Sequence, residues 1–287
     1  MMNKIYSSAI IMAMISLVAC NKEGVQTVGE TLSANAYISS GATKTVYDIP
    51  HYDVKKNVKV SWDVEESFNA YYDGGAAPVI FSKTAAGTSF TAVDVPSGVT
   101  ASTTFTGLYG SNATLNSDGK IDIDFSKQNG EVDNLAAYDV MTATSELKEG
   151  ILSFAFKHNC AILRLKCVNY TEEEVNYVIL DFAKAEISKE FASTGLDESR
   201  SVCIRLKFKL GKPVAKDSEE KNGLTEYRYV IVPAMNYCDS MKDGIVFGDN
   251  SSFHRTITFY DTKYIEAGKV YDVLCECGWK GGVVEAD

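Results

Sequence analysis

Chemistry-bearing side chains gather in SFAFKHNCAILRLKC, residues 153–167, where His158, Cys160 and Cys167 sit among apolar and basic neighbours. A metal centre needs ligands that converge, either closely spaced or brought together from several loops. His158 has no second histidine and no carboxylate near it in the chain, so it reads as a core histidine hydrogen-bonded to backbone. Cys160 and Cys167 would lie roughly 23 Å apart along an extended strand, far beyond disulfide reach. Cys275 and Cys277 share one strand face and are too close in sequence for an easy bridge. They are either buried free thiols or partners of Cys203 or Cys238. His51 and His254 are isolated, and the chain has no G-x-S-x-G, no glycine-rich phosphate loop and no H-E-x-x-H. The residues therefore predict no enzyme, no metal and no cofactor.

Charge narrows the partners. The 287 residues carry a formal charge of −10, with their basic residues scattered. Binding to nucleic acid needs clustered Lys and Arg to neutralise phosphates, so nucleic acid is not an expected partner. The run from Lys55 to Lys59 is flanked by acidic residues and reads as a solvated edge.

At the N-terminus, Lys4 precedes the short apolar stretch IYSSAIIMAMISLVA. That is the layout of a cleaved export signal, and it is too short to serve comfortably as a membrane anchor. Its ending, Leu17-Val18-Ala19-Cys20, resembles a bacterial lipobox. The resemblance implies cleavage before Cys20 and lipid attachment to its thiol. Several acyl chains would hold the protein stably on a membrane, where one alone binds only marginally. Residues 1–19 then form the signal and 20–30 a tether, whose charged start at Asn21-Lys22-Glu23 resembles surface-export tethers of some Bacteroidetes lipoproteins.

Beyond the tether, the elements that must position these residues are strands. Val58, Val60, Trp62 and Val64 alternate with polar residues, as do Ile121, Ile123 and Phe125. Asn116-Ser117-Asp118-Gly119 supplies a hairpin turn, because glycine tolerates positive φ. Further strands are expected at 178–180, 202–210, 227–232, 257–260 and 270–277, with turns at 72–75, 96–98 and 242–244. Residues 133–149 read as an irregular connection. Short Val-, Thr-, Tyr- and Phe-rich strands at this spacing predict an all-β fold of β-sandwiches. A composition shift at NYTEEE, residues 169–174, places a boundary between an N-terminal sandwich (31–170) and a C-terminal one (171–287).

Within 153–167 the apolar residues switch parity, from Phe154 and Phe156 to Ala161, Leu163, Leu165 and Cys167. A β-bulge would produce that switch and leave all of them, with His158, facing one core. Arg164 and Lys166 would then face solvent.

The pattern Phe156-x-His158-x-x-Ala161-x-Leu163-x-Leu165 resembles a recurring strand of the fimbrillin family of Bacteroidetes lipoproteins. Thr43-Lys44-Thr45, the Trp62 segment, Tyr138-Asp139-Val140-Met141 and Ala267-Gly268-Lys269-Val270-Tyr271 extend the resemblance. It implies two transthyretin-like β-sandwich domains in tandem, in a lipid-anchored outer-membrane protein of the cell surface. The role implied is that of a type V pilus (fimbrium) subunit in cell adhesion.

In such pili, the resemblance implies, a protease cuts after a basic residue, an N-terminal strand leaves, and a strand of another subunit fills the groove. Here the removable strand spans Thr31 to Ile38, with Leu32, Ala34, Ala36 and Ile38 alternating. Lys44 is the candidate cleavage position, where the family pattern has Arg; the other reading of Lys44 is an ordinary loop charge. The strand carrying Val270, Val273, Cys275 and Cys277 is either the donor or the last strand of its own domain. The short tail 278–287 points to a tip or terminal subunit, or to a stand-alone lipoprotein. Partners would be other pilin subunits, the outer membrane through the lipid, and a host or bacterial surface ligand. The alternative is a glycan-binding surface lipoprotein with Tyr71, Tyr72 and Tyr109 as aromatic platforms and Trp62 buried.

Overall fold

A computed structural model describes residues 31–38, 43–48, 59–60, 62, 65–73, 77–83, 87–169, 177–183, 186–196, 201–206, 226–237, 245–248, 253–255 and 264–277. The expectations for Cys20, the signal and tether, His51, the basic run up to residue 58, the boundary after Asn169, Cys238 and the tail 278–287 lie outside the described residues.

Among the described residues the chain is almost wholly β. The first eleven strands are β1 (Thr31–Ile38), β2 (Thr43–Asp48), β3 (Lys59–Val60), β4 (Ser67–Tyr72), β5 (Val79–Ser82), β6 (Ser89–Val93), β7 (Thr104–Tyr109), β8 (Thr114–Leu115), β9 (Ile121–Asp122), β10 (Met141–Glu146) and β11 (Ile151–His158). The rest are β12 (Cys160–Asn169), β13 (Tyr177–Ala183), β14 (Glu186–Ile187), β15 (Phe191–Ser193), β16 (Ser201–Leu206), β17 (Glu226–Pro233), β18 (Met235–Tyr237), β19 (Ile245–Gly248), β20 (Phe253–Arg255) and β21 (Val270–Cys277). Helix is confined to 3-10 turns at Phe125–Lys127 and Val132–Ala137. No helix among these residues is long and apolar enough to cross a membrane.

The all-β expectation holds, but the N-terminal strands do not stop at open sheets. They close into a barrel in the order β1-β11-β10-β7-β4-β5-β6. Its interior is packed with phenylalanines, and Phe68 contacts the rings of Phe81, Phe90, Phe154 and Phe156 at centroid distances of 5.1–5.2 Å. Rings of that size fit only because small residues face them: Ala34, Ala36, Ala70, Ala92 and Ala143 are all buried in the same core. Gly107 on β7 is the extreme case, since a Cβ there would stand 3.0 Å from both Phe154 and Phe156.

Strand β10 falls inside the segment expected to be irregular. Its inward residues are Met141, Ala143 and Ser145, and two small side chains of three give a weak hydrophobic signal. The 116–119 turn forms as expected, with Gly119 at φ +71° and Asn116 Oδ1 accepting from the amides of Asp118 and Lys120. Of the expected Trp62 strand, the described residues give Lys59–Val60 as strand and Trp62 outside it, and the 121–125 strand shrinks to Ile121–Asp122. Ile121, Ile123 and Phe125 nonetheless stay buried, because the amides of all three donate to carbonyls of 190–194.

A second core joins Ile121, Ile123, Phe125, Leu135 and Tyr138 to Cys160–Cys167, Leu180, Phe191 and Val230–Val232. Two findings correct the reading of 153–167. The parity switch is not a bulge within one strand: β11 ends at His158, and β12 pairs antiparallel with β17 and parallel with β21. Phe154 and Phe156 thus serve the barrel, whereas Ala161, Leu163, Leu165 and Cys167 serve the second core. Strand β12 is also buried on both faces, so Arg164, expected in solvent, is 5% exposed. Its register neighbours are Tyr229 and Asp272.

Packing around Gly107 generates the first prediction. Gly107→Ala forces a methyl onto two buried rings that have no free volume to move into, and should cost about 1–3 kcal/mol. Urea unfolding of the purified protein measures it; an unchanged midpoint would contradict the ring packing.

Candidate functional site

Strand β1 is the element on which the barrel closes. The sequence TLSANAYI alternates faces as a strand must, so Leu32, Ala34 and Ala36 point inward and are at most 2% exposed. Ile38, at the strand end, packs against the same core while only partly buried. On one side β1 pairs parallel with β11, from Ser33↔Ile151 to Ile38↔Phe156. On the other it pairs antiparallel with β6, from Thr31↔Val93 to Asn35↔Ser89. Without β1, both neighbours become edges with unpaired backbone groups, and an apolar slot opens between them.

Where β6 runs out, another device takes over. Ala36 N–H donates to the Thr88 carbonyl, and the Ala36 carbonyl accepts from Trp62 Nε1 at 2.8 Å. Trp62 is held in turn from both ends. Its ring packs edge-on against Phe90, Tyr109 and Phe156, and its carbonyl accepts from the buried Lys83 ammonium at 2.9 Å. Trp62 is partly buried, close to the burial expected of it, although it stands outside any strand. Lys83 was not legible beforehand, because an isolated lysine after a short strand normally marks solvent.

Lys44 lies on β2, whose backbone pairs with β3 at Thr43↔Val60 and Asp48↔Lys59. Val270, Val273, Cys275 and Cys277 lie on β21, paired with β12 from Ile162↔Val270 to Asn169↔Cys277. Cys203 and His254 are placed on β16 and β20. The tyrosine platform does not form: Tyr109 is 5% exposed and packs on Trp62, Tyr72 leans on Phe105, and Tyr71 packs against the second core.

His158 has a different partner from the backbone group expected. Its Nδ1 lies 2.8 Å from Asp139 Oδ1, with both side chains at most 10% exposed, while Nε2 is buried without a hydrogen-bond partner. Sequence distance hid this pair, because Asp139 comes from the connection ahead of β10. Three of the motifs that carried the family resemblance, 138–141, 156–165 and 267–271, meet here. Asn159 N–H donates to the Val140 carbonyl, Gly268 N–H donates to the Cys160 carbonyl at 2.7 Å, and Gly268 lies against the His158 ring. Burial first and the Asp139 charge second push the Cys160 thiol well above its ordinary value, so it is no nucleophile. Cys160 and Cys167 are free, buried thiols. Among the described residues no three His, Cys, Asp or Glu side chains gather as a metal site requires.

No protein-family model and no curated protein matches this chain. Solved structures do. A proposed cell adhesion protein from Bacteroides uniformis is 14% identical, with 86% of this chain and 93% of that one covered at a TM-score of 0.47. A second, from Bacteroides ovatus, is 13% identical, with 84% and 91% covered at 0.46. The tip fimbrial protein Mfa3 of Porphyromonas gingivalis is 10% identical, with 80% and 82% covered at 0.30. Two of these neighbours are proposed cell adhesion proteins and the third is a fimbrial tip protein. At such low identities and scores, what the chain does has to be argued from the slot.

The His158–Asp139 pair has a pH signature. Desolvation disfavours the imidazolium, while the Asp139 charge and hydrogen bond favour it, and the balance raises His158 above its ordinary value. A raised folded-state value means that the stabilisation is complete below the unfolded histidine value, about 6.5, and is lost as pH rises through the folded one. Asp139→Asn should cost about 1–3 kcal/mol in mild acid and less in mild alkali. Urea titrations of both proteins across that range check it; a cost independent of pH would refute the charged pair.

Proposed function

We propose that this chain is an exported, lipid-anchored subunit of an adhesive surface fibre of fimbrillin type. It is an acceptor subunit, whose barrel exchanges β1 for a strand of another subunit. One observation carries the reading: β1 completes the barrel between β6 and β11, and every other strand of that barrel lies later in the chain, so one cut after β1 severs it from all of them.

In this reading Cys20 carries the lipid and 20–30 forms the tether at the outer membrane. Cleavage after Lys44 frees β1 together with that anchor. Trp62 and Lys83 follow the cut, so they stay with the body and keep the open slot shaped. The incoming strand satisfies the exposed β6 and β11 edges by β-augmentation and refills the apolar space left by Leu32, Ala34 and Ala36. In the same reading the fold is of transthyretin-like kind, with the barrel as the first unit, and the chain makes its last passage from barrel to second core at Asn159, between β11 and β12. Strand β21 has eight register partners on β12, and releasing it as a donor would strip the second core of an edge. An acceptor that keeps its own last strand fits a tip or terminal position.

The test uses the mature chain with a specific protease site replacing Thr43-Lys44. Cut protein should lose β1 slowly and then assemble with fibre subunits into complexes that resist mild detergent, whereas uncut protein stays monomeric. Size-exclusion chromatography with light scattering reads the outcome. Cut protein that retains β1 indefinitely and never assembles would sink the exchange reading.

A further inference from the structure

The slot has a shape that restricts what can fill it. Residues paired across β1 are matched in size. Leu32 stands opposite Ala92, whereas Ala34 stands between Phe90 and Leu152, and Ala36 beside Phe154. All of these side chains are at most 2% exposed, so the two alanines face large side chains in the barrel core and not solvent. Leu32 also lies one residue before the first β11 partner, Ser33↔Ile151, and there only β6 limits it on that side. Large and small positions therefore alternate around the barrel, and the order along β1 is large, small, small.

The second restriction concerns register. Trp62 Nε1 donates to a main-chain carbonyl, at Ala36, and not to a side chain. Any strand can offer a carbonyl there, but only one alignment also puts its small residues against Phe90 and Phe154. A shift of two residues would bring a bulky side chain to one of those rings. A shift of one would turn the apolar face outward.

Resting on the exchange reading above, we propose that the β1 slot selects both its replacement strand and that strand's register by side-chain size, with Trp62 holding the main-chain carbonyl at the Ala36 place whatever the sequence. The partner is an extended segment running parallel to β11. It carries a bulky aliphatic residue at the Leu32 place and residues of alanine size at the Ala34 and Ala36 places. Outward positions are free to vary, since Tyr37 on that face is 48% exposed. Sequence-tolerant hydrogen bonding supplies most of the attachment, and the two small positions supply the discrimination.

The test is peptide competition on the full mature chain, cut between β1 and β2 at an engineered protease site and freed of β1 in mild denaturant. A fluorescent TLSANAYI peptide is rebound and displaced by variants. Ala34→Leu and Ala36→Leu peptides should each compete about 10-fold or more worse, the effect of forcing extra methylenes into a filled core. An outward Tyr37→Ala change should alter competition by less than about 3-fold, as surface substitutions do. Trp62→Phe in the protein should speed release of every peptide by a similar factor, because the lost contact is to main chain. Equal competition by the leucine variants, with the unmodified peptide binding, would overturn the selection rule alone. Failure of the unmodified peptide to rebind would overturn the exchange reading and the rule with it.

Discussion

The structure depends on the seating of β1 between β6 and β11. That strand converts two edges into a continuous ladder, and it fills the last gap in a core built from phenylalanines. Its inward residues are modest, two alanines and one leucine, because the rings around them already take most of the volume. The outcome is a close fit made with little apolar mass. Such a strand is held mainly by backbone hydrogen bonds distributed along its length and by one indole donor at its end. Attachment of that kind depends on the identity of few side chains.

The remainder of the molecule ties the barrel to the second core. The chain does not finish the barrel before starting the second core. It leaves after β7, laces residues 121–125 onto 190–194, returns for β10 and β11, and crosses again at Asn159. Gln128 reinforces the crossing, donating to the Ile231 carbonyl and accepting from the Ile231 amide at 2.7 Å each way. The buried His158–Asp139 pair sits at the same seam, with Gly268 against the ring. A buried, hydrogen-bonded pair in that position is costly to break, which helps to fix the geometry of the seam.

These arrangements explain why the family motifs are so unspecific one at a time. Asp139, His158 and Gly268 are ordinary residues in ordinary strand and turn contexts. They become a constellation only when three separated segments converge. The same holds at the slot, where Lys83 has no sequence signature yet holds the Trp62 carbonyl, and Trp62 holds the end of β1. A search for reactive side chains reaches His158 but misses the slot, because what is arranged there is shape and backbone pairing.

Sequence alone determined the all-β class, the inward set Leu32, Ala34 and Ala36, the 116–119 turn and the buried alternation of Ile121, Ile123 and Phe125. Each is a local consequence of the two-residue period of a strand or of the φ that a turn requires, and so can be read from neighbours in the chain. Tertiary structure decided what no local pattern encodes. It set the closure of the barrel, the division of residues 153–167 between two cores, the burial of Arg164 and Lys83, and the strand at 141–146. A parity switch looks the same whether a strand bulges or changes sheets, because only the pairing partner distinguishes them. Small residues such as Ala143 and Ser145 give no hydrophobic signal, because the size required there is set by rings that arrive from other strands.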